Sequence, residues 1–187
     1  MNIALLVATV DRKESVARLL NSLGQQTFRN FTVYIGDQNS SPILQDIIDY
    51  FRSQINIIHC PVSRQGLSAV RNILLEKALS HKKYDWIAFP DDDCWYEPDT
   101  LKNLSLFSRR YPQISGILCA QRDENGIFRY SKPKDINRFN AFLPLKHMFN
   151  FIEWLLSRAL ETLMYSSAQE QDSLMVVAKI PTMFYGH

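Results

Sequence analysis

The first half of the chain alternates between two hydrophobic rhythms. One is the short continuous apolar run: IALLVAT over residues 3–9, FTVYIGD over 31–37, INIIHC over 55–60 and YDWIAFP over 84–90. Runs of this kind suit strands buried on both faces, as in a parallel sheet. The other rhythm is helical. ESVARLLNSL carries apolar residues at Val16, Leu19, Leu20 and Leu23, which share one helix face. SSPILQDIIDYF predicts a helix with Ser41 as N-cap and Pro42 at the first helical position. GLSAVRNILLEKAL predicts a third helix. Strands alternating with helices of this length imply parallel pairing through right-handed crossovers.

The second half is less regular. EPDTLKNLSLFSRRY predicts a helix with Pro98 near its start, ISGILCAQ a strand, and DENG (123–126) a hairpin turn before IFRYS. KPKDINRFNAFLPLKH reads as a loop. Ile152, Leu155, Leu156, Ala159, Leu160 and Leu163 form a helical stripe flanked by Phe149, Phe151 and Trp154. Such a stripe packs in a core or a dimer interface. Its alternative is a membrane surface, against which the polar side argues, since Glu153, Arg158 and Glu161 do not make it strongly basic. A final helix is predicted from Gln169 to Lys179, and an edge strand in PTMFYGH.

Composition narrows the classes. The 187 residues suffice for one domain with a substantial core, and 46% hydrophobic with 21% charged residues is ordinary for a soluble globular protein. A net charge of +2 argues against nucleic acid as a partner, which calls for a strong basic excess. Cys60, Cys94 and Cys119 are odd in number and lack CxxC spacing, which favours a reducing cytosol over a disulfide framework or zinc site. MNIALLVATVDRKES reads as a first strand rather than a signal peptide, and no segment approaches the roughly 20 apolar residues of a spanning helix.

The first, second and fourth strands end in ATVDR, GDQNS and PDDDC. In open sheets of this type, ligands sit at the carboxyl ends of the strands. Asp91, Asp92 and Asp93 follow directly on a buried run. Carboxylates so crowded raise one another's pKa unless a cation neutralises them. A hard divalent metal does so, and magnesium takes a few carboxylates with waters and substrate phosphates. In extended chain, Asp91 and Asp93 point one way, so that both could address one metal or nucleotide, and Asp92 points the other, where it holds the loop through backbone bonds. The plainer alternative is a solvated Asp-rich turn that ends the strand.

LLVATVDR, YIGDQNS, GLSAVRN and WIAFPDDDCWYEPDTL stand in the order and spacing of family 2 glycosyltransferases of the GT-A fold. The chain resembles that family well over about its first two-thirds. The resemblance implies a three-layer α/β/α domain with a mostly parallel central sheet. Residues 1–97 would be its nucleotide-sugar-binding half, and 98–187 a shortened acceptor-side half. It implies transfer of a sugar from a nucleoside diphosphate sugar to a hydroxyl of a saccharide or lipid-linked acceptor. The aspartates would then be the family's DxD motif, holding manganese or magnesium against the donor diphosphate. A cytoplasmic location goes with this, free or at the inner face of the cell membrane, with a homodimer as one arrangement.

Residue by residue, the resemblance places Thr9 where the family's loop holds the nucleobase, and Arg12 in the same loop at base or phosphate. Asp37 stands where the family reads base or ribose. Arg71 would reach the donor with Asn72 in support, although Val70 replaces the family's small residue before the arginine. Gly66 lets the preceding loop turn sharply. Asp91 would face the nucleotide and Asp93 the metal, with Asp92 as a substitute. An inverting transferase needs a general base, which the family carries in a Glu-Asp pair after a glycine. Here SSAQEQDSL offers Glu170 and Asp172, split by Gln171 and with no glycine before them. Register on QDSL makes Asp172 the base; register on EQDSL keeps Glu170 in place and puts glutamine at the base position. His187, closing MFYGH, would complete the metal site, a ligand that manganese accepts more readily than magnesium.

Each position has a plainer reading. Arg12 is solvated, Asp37 a turn residue, Arg71 a surface ion pair and Asn72 a helix hydrogen-bonder. Glu170 and Asp172 are then acids favoured by a helix dipole. Two other functions compete: a scaffold that binds nucleotide sugar without transfer, and a nucleotidyltransferase. Against the latter, VATVDRKES has no glycine with which to approach a triphosphate.

Overall fold

The computed structural model describes residues 1–119, 121–122, 128–129 and 176–179. The stripe at 152–163, the loop at 132–147 and the edge strand in 181–187 lie outside the described residues, as do Glu170, Asp172 and His187. The chain divides into two compact units. The first is Met1–Cys119 with Ser173–His187, the second Ala120–Asp172.

In the first unit, β1 (Ile3–Thr9), α1 (Lys13–Gly24), β2 (Phe31–Asp37), α2 (Gln45–Phe51), β3 (Ile57–Pro61), α3 (Leu67–His81) and β4 (Trp86–Phe89) alternate as the pattern implies. They are followed by α4 (Thr100–Arg110) and β5 (Gly116–Leu118). Among the described residues the sheet has six strands, and its order β3-β2-β1-β4-β8-β5 includes β8 (Val176–Lys179). β3, β2, β1 and β4 are mutually parallel; β8 runs antiparallel to both β4 and β5.

The continuous apolar runs are explained by burial on both faces. Ile3, Leu5 and Val7 of β1, with Val33 and Ile35 of β2 and Trp86 and Ala88 of β4, share a core cluster with α1, α2 and α4. α3 packs on β1 and β2. Gly36 of β2 lies so close to it that an added Cβ would stand 2.5 Å from a Val70 methyl. The stripe read in α1 is the one buried: Val16, Leu19, Leu20 and Leu23.

Two elements depart from the sequence reading. α2 begins at Gln45, with Leu44 as N-cap, so Ser41 and Pro42 do not start it. They form a turn instead, in which Ile43 N donates to Ser41 O (2.8 Å) and Gln45 N to Pro42 O (3.2 Å). Leu44, fully buried, anchors the chain where that turn ends. The second departure is larger. Residues 176–179, assigned to a final helix, are strand β8. The β-branched pair Val176 and Val177 suits a strand, and β8 fills a slot between two neighbours, so tertiary pairing overrides the helical spacing.

In the second unit, β6 (Gln121–Arg122) pairs antiparallel with β7 (Phe128–Arg129), flanking the DENG segment as a hairpin does. Among the described residues, no helix is long and apolar enough to cross a membrane.

The segment that follows the aspartates is pinned by a side chain. Gln26, just past α1, is completely buried. Its Nε2 donates to Ser22 O (3.2 Å) and Glu97 O (2.8 Å), and its Oε1 accepts from Leu101 N (3.1 Å) in the first turn of α4. Gln26→Leu is expected to cost about 1–3 kcal/mol, because it strands a buried N–H. An unchanged urea midpoint would show the bridge to be dispensable.

Candidate functional site

The strand order has a chemical consequence. From β1 the chain builds outward through β2 and β3, then returns to the other side of β1 as β4. The order reverses between β1 and β4, and in open sheets of this type ligands bind outside the carboxyl ends at such a switch point. Thr9 ends β1 and the three aspartates follow β4, so the topology delivers both to this switch point.

Arg12, the N-cap of α1, reaches from the loop after β1 to the aspartates after β4. Its Nη1 lies 3.0 Å from Asp92 Oδ1 and 2.9 Å from Asp93 Oδ2. The two carboxylates, Asp92's above all, push the guanidinium above its ordinary pKa. Asp92 is buried, and burial pushes its carboxyl above the usual carboxylate range, opposed by Thr9 and Arg12. The Thr9 hydroxyl, itself buried, is near enough to favour the Asp92 carboxylate without a hydrogen bond of full geometry. Because folding raises this acid's pKa, its ionisation weakens the fold as pH climbs from the unfolded value through the folded one. Below that window the penalty is absent.

Asp91 turns elsewhere. Its Oδ1 accepts from Arg71 Nη2 at 2.8 Å, and Arg71 is buried on α3 with its guanidinium 5.8 Å from the Phe89 ring centre. The expected alternation, Asp91 with Asp93 and Asp92 opposed, is therefore corrected. β4 stops at Phe89, and the aspartates lie in a turn where Cys94 N donates to Asp91 O at 3.4 Å. Two-residue periodicity ends with the strand, so Asp92 joins Asp93. Asn72 is exposed on α3 and is not brought to this cluster by any contact described.

Asp37 is buried at the end of β2. Its Oδ1 accepts from Asn39 N (3.0 Å) and Asn39 Nδ2 (2.6 Å), and its Oδ2 is 2.9 Å from His59 Nε2 on β3. Asn39 Oδ1 in turn accepts from Asp11 N at 2.7 Å. Asp11 holds a left-handed φ of 55°, which Asp tolerates better than most residues. The loops after β1 and β2 are thus tied through Asn39.

Asn39 and His59 escaped the sequence reading. The D-x-N spacing after a strand is an Asx-turn signal that pointed to Asn39. Nothing local pointed to His59, which meets Asp37 only through strand pairing. Burial pushes the Cys94 thiol up to about 12, which disfavours the thiolate a nucleophile needs.

What could these groups hold? Asp92 Oδ1 and Asp93 Oδ2 converge on one positive centre. Two hard oxygens meeting at a point suit magnesium or manganese, which take a few carboxylates and complete their shell with waters and phosphates. Among the described residues, no three of His, Cys, Asp and Glu gather to form a fuller cage.

Comparison with known proteins identifies the family and the fold. The family model for glycosyl transferase family 2 matches residues 4–163. EpsH of Bacillus subtilis is 34% identical over 100 residues, covering 52% of this chain and 27% of that protein. S. aureus TarS in complex with UDP-GlcNAc superposes with a TM-score of 0.52 at 24% identity, over 63% of this chain and 33% of that one. Mannosyltransferase PcManGT from Pyrobaculum calidifontis, in complex with GDP-Man and Mn2+, gives 0.53 at 17% identity, over 65% and 36%. At these identities the two structures establish the fold, that of the GT-A glycosyltransferases. The chain spans between about a quarter and just over a third of the length of these proteins. With the family model covering most of its length, the chain belongs to glycosyl transferase family 2.

Proposed function

We propose that this protein transfers a sugar from a nucleoside diphosphate donor to a hydroxyl acceptor, with a divalent metal and with inversion. The observation that carries this reading is the convergence of Asp92 Oδ1 and Asp93 Oδ2 on one cationic centre at the β1/β4 switch point. Three carboxylates there face two guanidinium groups, Arg12 and Arg71. With all five ionised the cluster carries one net negative charge. A diphosphate approaching it is repelled unless a cation comes too. The family's neighbours, one holding UDP-GlcNAc and one GDP-Man with Mn2+, support the same ligand class.

Asp93 and Asp92 would hold the metal, which when bound stabilises charge on the leaving diphosphate. Asp91, clamped by Arg71, would face the nucleotide. Thr9 and Asp37 would border the base and ribose. Asp37's Oδ2 keeps a lone pair for a ribose hydroxyl while Asn39 and His59 fix its orientation. Asn72 would support the site from α3. His187 would add a nitrogen ligand, which favours manganese.

For the base we propose Asp172, with Glu170 as the alternative. A carboxylate in this role would take the proton of the acceptor hydroxyl. Asp172→Asn is expected to slow transfer about 10²–10⁴-fold with donor affinity unchanged. Transfer at the wild-type rate would sink the assignment.

The acceptor would be a saccharide or lipid-linked hydroxyl in polysaccharide synthesis. Three free cysteines fit a reducing cytoplasm, with membrane contact or a homodimer open to sedimentation tests.

Calorimetric titration with UDP, GDP and their sugars, with and without manganese, tests the whole reading. Manganese-dependent binding of one nucleotide supports it. Binding without turnover would mark a scaffold, and pyrophosphate release from a triphosphate a nucleotidyltransferase.

A further inference from the structure

Arg12 is placed to do more than cap a helix. Among the described residues its ion pairs use one nitrogen, Nη1, and the guanidinium's other donors could meet an anion in the same plane. The two carboxylates differ in burial. Asp92's side chain is 11% exposed, so its ionised form is favoured by a cation beside it. Asp93 and Arg12 are 40% and 51% exposed, so water and salt weaken their hold on each other. The guanidinium is held loosely by Asp93, and when it leaves, a metal ion at the same oxygens keeps Asp92 ionised.

We propose that Arg12 is an exchangeable counter-ion: it closes the Asp92–Asp93 pair to metal in the nucleotide-free protein, and an incoming diphosphate draws it away and opens the pair. The exchange rests on the nucleotide-sugar reading above. Guanidinium and metal need the same two oxygens, so they exclude one another. With Arg12 in place the pair carries a net charge of −1, two carboxylates against one guanidinium. With Arg12 drawn to the phosphates the pair carries −2, which matches a divalent ion. Metal alone then binds weakly, nucleotide strengthens metal binding, and metal strengthens nucleotide binding by the same factor.

Manganese binding to the full chain, followed through the electron paramagnetic resonance of free Mn2+, tests this without an activity assay. Wild type, Arg12→Ala and Arg12→Lys are titrated with Mn2+ alone, then with UDP or GDP present. Arg12→Ala is expected to bind Mn2+ alone about tenfold tighter than wild type. The factor by which nucleotide tightens Mn2+ binding should shrink toward one. Arg12→Lys, which keeps the charge but lacks the fork, should show a smaller rise, and it decides the matter if the alanine variant fails to fold. Suppose the variants bind Mn2+ alone no tighter than wild type, while nucleotide still promotes Mn2+ binding to wild type. The exchange is then overturned and the donor-site reading survives. Absence of Mn2+ binding in every form with either nucleotide would overturn both.

Discussion

Asp93→Ala is expected to reduce transfer about 10³-fold and to abolish the metal dependence of nucleotide binding, because a metal's charge on a diphosphate leaving group is worth several kcal/mol. The fold should hardly notice. Asp93 is 40% exposed and its described partner, Arg12 at 2.9 Å, is 51% exposed. Exposed pairs of this kind contribute only about 0–1 kcal/mol. The variant should melt within a few degrees of wild type, on the rule of about 2–4 °C per kcal/mol for a chain of this size. Large functional loss at almost constant stability separates a ligand-binding carboxylate from a structural one. Calorimetry with manganese and nucleotide, beside a thermal melt, gives both numbers. Retention of metal-dependent nucleotide binding by Asp93→Ala would remove Asp93 from the metal site.

The second large effect concerns a glycine. A Cβ on Gly36 would stand 2.5 Å from Val70 Cγ1 and 3.1 Å from Leu74 Cδ1, both on buried residues of α3. Overpacking of this kind costs about 1–3 kcal/mol. The opposing gain, a less flexible unfolded chain, is worth only about 0.4–1 kcal/mol. Gly36→Ala should therefore destabilise the protein in urea. The helix that must give way also carries Arg71, next to Val70, so donor affinity should fall with stability. Val70→Ala in the same chain makes room and should recover part of both, a non-additivity expected of touching residues. A Gly36→Ala protein as stable as wild type would show that the close approach of β2 and α3 is not a constraint.

Gly36 also shows how far local reading goes. An isolated glycine inside an apolar strand signals close approach by another backbone or helix, and that signal was present in FTVYIGD. What approached was not legible, because α3 lies some thirty residues further along. Asp91 to Asp93 were legible as a cluster for a cation. Their division, Asp91 to Arg71 and the other two to Arg12, was not, since the strand's alternation ends at Phe89. His59 against Asp37 is a cross-strand contact, set by pairing that neither segment encodes alone.

The sequence by itself determined the strands and helices up to α4. Burial on both faces of a parallel sheet leaves continuous apolar runs, and burial on one face of a helix leaves a stripe, wherever those elements end up. It also determined which residues stand at strand ends and are free to be polar. Only the tertiary structure decided that β4 returns beside β1, which makes their carboxyl ends the switch point, and that VVAK enters the sheet as β8 rather than continuing a helix. Those outcomes depend on contacts between residues more than eighty positions apart, where the competition between pairings, not any local propensity, sets the result.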